Sequence, residues 1–386
     1  LFDESRHRQA LFADKIYMFD TRQSTFIFRG YLHKEMYLKS FLEKFGIRMN
    51  VLHIGNYKVA GEKYNHNEMS KEKKESIKNI KDKVFEDFVK LVKDRRGTDI
   101  EEEILNGNLI FAGKEKAMEY KLIDGVADYD EIGINYKEDT VSLEDYISMS
   151  KEKKEKAKDT IAVINLEGVI DGRNSKKSIT YENVCDKLEI LEKMKNLKGL
   201  VLRINSPGGS ALVSEKIYKK LKKLTVPIYV SMGDLCASGG YYIAATGKKL
   251  FANSITLTGS IGVVMMYPEV EGVLKKLDIN LEGFEKGTGF DMLNPFEKLG
   301  EDSKEKIIYN MNEVYAEFKE HVMKARGMNE EELEKIAQGR VWLGSEARNI
   351  NLIDEIGSLE ECIKSMADDL KLDKYKVRII ELTQTI

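Results

Sequence analysis

The sequence predicts an α/β protein with a mostly parallel sheet, built partly from a duplicated segment. Three observations carry this. Apolar strands alternate with helices between about residues 160 and 245. Two of those strands run into glycine-rich turns, Ser206-Pro207-Gly208-Gly209 and Ala237-Ser238-Gly239-Gly240. A set of residues also recurs at a fixed offset between the two halves of the chain.

Each element follows from local chemistry. The β-branched run Thr160-Ile161-Ala162-Val163-Ile164-Asn165-Leu166 reads as a buried strand. A helix is expected over 181–196 and a strand over 200–205, followed by the Pro-Gly-Gly turn. The next helix spans 211–224 and stops before Pro227, which disfavours helix in the residue before it. Residues 228–232 form the next strand. The Ser238 turn and a short helix through 245 complete the series. Such alternation implies βαβ units and a mostly parallel sheet.

The repeat links Phe88, Arg96-Gly97 and Leu122-Ile123-Asp124 to Phe318, Arg326-Gly327 and Leu352-Ile353-Asp354, always 230 residues apart. Phe12-Ala13-Asp14 echoes Phe251-Ala252-Asn253. That echo puts the counterpart of Ser238 just before residue 1, leaving a truncated first copy. The expected organisation is a first, partial repeat over 1–134, a charged connection over 135–159, and a second repeat over 160–386. A length of 386 residues suits two lobes better than one core.

Composition excludes several classes. Charged residues make up 33% of the chain but nearly cancel to a net charge of −3, so nucleic-acid binding has no electrostatic basis. Mixed runs such as Lys71-Glu72-Lys73-Lys74-Glu75 read as solvated helix faces. Cys185, Cys236 and Cys362 are too dispersed for zinc or a disulfide framework, and Cys236 reads as a small buried residue. No metal or organic cofactor is called for. No apolar stretch approaches the roughly 20 residues of a membrane span. The chain begins at Leu1, as a fragment or processed product would, so a targeting or anchoring segment upstream remains compatible with it.

The two turns together suggest a hydrolytic site. Ser238 stands between a strand and a helix, where it could be an N-cap or a nucleophile favoured by the helix N-terminus. The N–H groups of Gly208 or Gly209, with that of Gly239, could stabilise an oxyanion. In a parallel sheet both turns lie at the carboxyl ends of the strands, where α/β sites form. A base is harder to find. The histidines are His7, His33, His53, His66 and His321, and only His321 lies in the serine half, on a charged helix face. A Ser-His-Asp triad is therefore poorly supported. A lysine can serve if burial keeps it neutral, but composition alone selects none.

Several motifs resemble one family. Gly233 with Ala237-Ser238-Gly239-Gly240-Tyr241-Tyr242, Leu257-Thr258-Gly259-Ser260-Ile261-Gly262-Val263, and Ala337-Gln338-Gly339-Arg340-Val341-Trp342 look like signal peptide peptidase A, also called protease IV. Asn205-Ser206-Pro207-Gly208-Gly209, Phe12-Ala13-Asp14-Lys15-Ile16, Tyr37-Leu38-Lys39-Ser40-Phe41-Leu42 and Gly55-Asn56-Tyr57-Lys58 fit it as well. The resemblance implies a ClpP/crotonase-like fold and a double-length serine–lysine endopeptidase. It makes Ser238 the nucleophile, Lys58 the base and Ser260 the group that orients the lysine. The second copy reads Gly287-Thr288-Gly289-Phe290-Asp291 where the first has its lysine motif, with Lys286 as a fallback base.

The implied substrates are released signal peptides and short apolar segments. The implied assembly is a homo-oligomer, a tetramer, anchored to the cell membrane through an upstream segment, with its catalytic part outside the cytoplasm. Two other readings compete. A crotonase-type acyl-CoA enzyme would use the same paired N–H donors without a serine. A non-catalytic scaffold would keep the fold alone.

Overall fold

A computed structural model describes residues 2–135, 139, 141, 157–172 and 178–380. Most of the charged connection expected at 135–159 lies outside these residues. The chain divides into two compact units, Leu1–Lys34 with Ile77–Lys154 and Glu35–Ser76 with Glu155–Ile386. Residues 35–76, read from the sequence within the first repeat, thus pack with the second.

The larger unit is organised by an eight-stranded sheet. Its main path runs Val341–Leu343, Leu257–Gly259, Ile228–Ala237, Leu197–Ser206, Asp159–Glu167, Tyr375–Ile380. All these pairs are parallel except that of Val341–Leu343 with Leu257–Gly259. The central strands Asp159–Glu167, Leu197–Ser206 and Ile228–Ala237 are largely buried on both faces, as a parallel sheet under helices requires, while the edge strand Tyr375–Ile380 is largely exposed. Ala162, Ile164 and Leu166 join Leu200, Leu202 and Ile204 in a core that includes residues of the helices Tyr181–Glu192 and Ala211–Leu221. The alternate residues Ile161, Val163 and Val201 face a second core with Cys362 and Met366 of the helix Leu359–Asp369.

The strand that leads to Ser238 is longer than its sequence suggests. Gly233 reads as the start of a turn, yet the strand continues to Ala237. Its pairing with Leu197–Ser206 slips between Ile204↔Met232 and Ser206↔Cys236, so residues 233–235 bulge. Asn205 Oδ1 accepts from Leu235 N at 3.2 Å, and Thr256 Oγ1 donates to Gly233 O at 2.7 Å. A Cβ on Gly233 would stand 2.8 Å from the Asn205 side chain, so only glycine leaves room for this stitch. Tertiary hydrogen bonds here override the local turn signal.

The smaller unit repeats part of this plan. Its strands Phe2–Asp3, Phe26–Ile27 and Ile110–Ala112 pair parallel and then antiparallel, as Ile228–Ala237, Leu257–Gly259 and Val341–Leu343 do. Tyr17–Met18 pairs with Gly125–Val126 as Phe251–Ala252 pairs with Glu355–Ile356. Arg96 Nη1 bonds Asp124 at 3.0 Å, and Arg326 Nη1 bonds Asp354 at 2.8 Å. Asp124 accepts from Ile16 N, and Asp354 accepts from Leu250 N, both at 2.8 Å. The core of this unit gathers Phe26, Phe28, Phe88, Val92 and Leu122, with His7 fully buried beside Phe28. Burial pushes the His7 imidazole down to about 4.

These bonds correct the register of the repeat. The Phe12/Phe251 echo is local, because the structure matches Ile16 with Leu250. The helix Glu4–Ala10 then answers Gly239–Ala244, and Glu4 stands where the second copy has Ser238.

Candidate active site

Ser238 sits on a sharp turn. Its φ of 54° and ψ of −123° are unfavourable for a residue with a Cβ. Its N–H donates to Gly259 O at 2.8 Å, and its carbonyl accepts from Tyr242 N at 2.9 Å, which holds the turn. The side chain makes no capping bond to the helix Gly239–Ala244. The hydroxyl is therefore not used as an N-cap, the plainer role that sequence allows.

What it meets is Lys58. Lys58 Nζ lies 2.9 Å from Ser238 Oγ, 2.7 Å from Ser260 O and 3.0 Å from Ser260 Oγ. Lys58 is only 4% exposed, and burial pushes its amine down to about 7. A neutral amine has two N–H donors and one lone pair. Ser260 O and Oγ can take the donors, which leaves the lone pair for the Ser238 hydroxyl. Ser260 also has a left-handed backbone, φ 52°, and its N–H donates to Arg340 O at 2.8 Å.

The lysine enters on an antiparallel pair, Arg48–Ile54 with Val263–Glu269. Gly55 ends the first of these strands in a positive-φ turn, 107°, and Lys58 N closes it on Gly55 O at 3.1 Å. The KEKKE run behind it is not simply a solvated face. Lys73 is buried against Glu35, and Glu75 approaches Arg340 at 3.5 Å.

The glycine turns meet beside the serine. A Cβ on Gly208 would stand 2.6 Å from Gly239 N, and one on Gly239 3.3 Å from Gly209 N. The Gly208 N–H already donates to Ser206 Oγ at 3.1 Å. Among the described residues no hydrogen bond from the N–H of Gly209 or Gly239 is present, so this pair is open to an incoming oxygen.

The remaining candidates lie elsewhere. His321 bonds Glu215 at 3.0 Å and stacks on Tyr218 at 3.9 Å. Lys286 is exposed. Cys236 is fully buried, and burial pushes its thiol up. Glu215, Glu317 and His321 are close enough to share a cation, but Lys219 bridges the two glutamates, at 2.5 Å from Glu215 and 3.6 Å from Glu317. Sequence reasoning assigned no task to Gln338-Gly339-Arg340, whose contacts with the Lys58 and Ser260 turns could be read only from the fold.

The profile of peptidase family S49 matches residues 9–144 and 220–373, well over half of the chain. A Clp protease profile matches residues 152–259. Protease 4 of Haemophilus influenzae is 29% identical over 94% of this chain and 62% of its own length. Serine protease SPPA, chloroplastic, of Arabidopsis thaliana is 31% identical over 90% of this chain and 54% of its own. Protease 4 of Salmonella typhi is 26% identical over 97% of this chain and 63% of its own. The chain thus spans little more than half the length of these relatives. Sheet topology, the repeated strands and both profiles agree on a ClpP/crotonase-like α/β fold in tandem. The chain belongs to peptidase family S49.

Proposed function

We propose that this chain is a serine endopeptidase that works through a Ser238–Lys58 dyad. One observation carries the reading: a buried lysine amine, held near neutrality, lies 2.9 Å from a serine hydroxyl that caps nothing. Neutral Lys58 takes the proton as Ser238 Oγ attacks the peptide carbonyl carbon. The N–H groups of Gly209 and Gly239 receive the developing oxyanion, in place of the engaged Gly208. Protonated Lys58 then gives its proton to the leaving amine. Water attacks the acyl-enzyme, Lys58 takes its proton, and Ser238 regains one as the acid departs. Ser260 holds the amine in line throughout.

The substrates in this reading are released signal peptides and other short apolar segments in extended form. Reaction with a fluorophosphonate tests the chemistry directly. The wild type should label at Ser238 and hydrolyse apolar peptides, while Ser238→Ala does neither. A crotonase-type acyl-CoA enzyme would keep its activity in Ser238→Ala, and that result would reject the peptidase.

We further propose a homo-oligomer, a tetramer, attached to a membrane with its catalytic part outside the cytoplasm, as the family resemblance implies. Among the described residues, no helix is long and apolar enough to cross a membrane, so the attachment would use a segment outside them. The repeat supports the assembly. Arg48–Ile54 pairs with Val263–Glu269 across the two copies. In the repeat register the counterparts of these strands fall near 280–286 and 31–37. Those stretches expose Leu281, Phe284, Tyr31, Leu32 and Met36. Pairing between chains would cover them. Mass measurement in solution should find an oligomer that Phe284→Asp weakens, and a wild-type monomer at micromolar concentration would reject it.

A further inference from the structure

The segment Gln338-Gly339-Arg340 touches both the turn that carries Lys58 and the Ser260 turn to which the lysine bonds. On one side it holds the turn that carries Lys58. Gln338 O accepts from Tyr57 N at 2.7 Å, and Gln338 Oε1 accepts from Asn56 N at 3.0 Å. The Arg340 guanidinium lies 3.7 Å from the Tyr57 ring centroid and 5.2 Å from that of Trp342. A Cβ on Gly339, whose φ is +76°, would stand 2.5 Å from the Lys58 backbone. On the other side it holds the Ser260 turn. Gly339 N donates to Ile261 O at 2.7 Å, and Arg340 O accepts from Ser260 N at 2.8 Å.

The first copy provides a comparison. Phe28 N donates to Leu109 O there as Ser260 N donates to Arg340 O here. In this register Gly107 answers Gln338, and Leu109 answers Arg340. Both Gly107 and Gln338 have a left-handed backbone, φ 74° and 56°. Glycine takes that conformation without strain, and glutamine does not. The second copy thus tolerates strain to keep a side chain that hydrogen-bonds the lysine turn.

We propose that Gln338, Gly339 and Arg340 form a positioning element that sets where the Lys58 amine stands relative to Ser238. It rests on the serine–lysine reading, and a test must separate the two. The readout is the rate at which a fluorophosphonate labels Ser238 in the whole chain, measured across pH, with melting followed in parallel. Gln338→Gly keeps the left-handed backbone and removes the side chain. Arg340→Leu installs the residue of the other copy. Each should slow labelling about 10- to 100-fold, the scale of a misplaced catalytic group. Each should also move the pH midpoint, with melting unchanged. Labelling at the wild-type rate and midpoint overturns the proposal, as does a slower rate with an unmoved midpoint. If Lys58→Ala labels like wild type, the dyad reading falls instead.

Discussion

The turn Gly55–Lys58 and its counterpart Gly287–Phe290 began as copies of one segment and now do different work. In the first, Lys58 is buried beside Ser238 and Ser260. In the second, Phe290 is largely exposed, and the neighbouring Asp291 accepts from Gly300 N at 2.6 Å and from Ser303 Oγ at 2.5 Å, at the start of the helix Glu301–Arg326. The position of Ser238 shows the converse difference. Ser238 faces an amine, while Glu4 accepts from Arg29 N at 2.5 Å and from Gly30 N at 3.2 Å. The Arg–Asp pairs that order each copy have meanwhile stayed alike. The two copies keep the same framework pairs and differ at the positions of Lys58 and Ser238.

The strongest way to break this contrast is to remove one reacting group from each copy. Ser238→Ala and Lys58→Ala should each lower peptide hydrolysis at least about 1,000-fold, because residues acting as a unit fail together. The double variant should lose little more. Substantial activity in either single variant, measured as kcat/KM, would end the claim that the two copies share one site.

The framework pairs offer the next largest effect. Arg326 is the more enclosed arginine, its side chain 4% exposed against 16% for Arg96, although Asp354 is the more exposed aspartate, 31% against 20% for Asp124. Arg326→Ala gives up bonds to Asn351 O, Asn351 Oδ1 and both Asp354 oxygens and should cost about 2–4 kcal/mol. Arg96→Ala gives up bonds to Lys121 O and Asp124 and should cost about 1–2 kcal/mol. Urea unfolding of each variant measures the difference, and equal losses would show that the arginine's extra bonds do not distinguish the copies.

A smaller effect follows from the lysine's titration. Folded Lys58 releases its proton near pH 7, whereas an unfolded lysine holds it to about 10.4. Between those values the unfolded chain binds more protons, so this group makes stability rise with pH. Below about pH 7 both states are protonated, and a penalty of a few kcal/mol stands in full. Lys58→Met should remove that slope and be the more stable protein at pH 6. Urea midpoints at pH 6 and pH 9 would refute this if both proteins changed equally.

The mildest change sharpens the comparison most cleanly. Asp291→Ala should cost about 1 kcal/mol through the lost contacts at the helix start while leaving kcat unchanged. A drop in kcat would mean that the second copy's turn still takes part in the chemistry.

The parallel sheet and its two glycine turns were legible because strand periodicity and turn chemistry are local. Ile161 and Val163 turn to one core, and Ala162 and Ile164 to the other, as alternation requires. The Arg96–Asp124 and Arg326–Asp354 correspondence was legible because both partners of each pair were kept at the same spacing. The repeat's front end misled, because Phe12 and Phe251 match in letters and not in hydrogen bonds. The continuation of the strand before Ser238 past Gly233 was also hidden, since Asn205 and Thr256 supply the bonds that turn an apparent loop into a bulge.

What the sequence determined by itself is the inventory: a serine at a strand–helix turn, two glycine-rich connections, and a lysine motif present in one copy and absent from the other. Only the tertiary structure decided which groups meet. It carried Lys58 across 180 positions to Ser238, moved residues 35–76 into the larger unit, and engaged Gly208 while leaving the N–H groups of Gly209 and Gly239 without a partner among the described residues. The reason is physical. A lysine's readiness to lose its proton comes from the walls that exclude water around it, and no stretch of neighbouring residues supplies those walls.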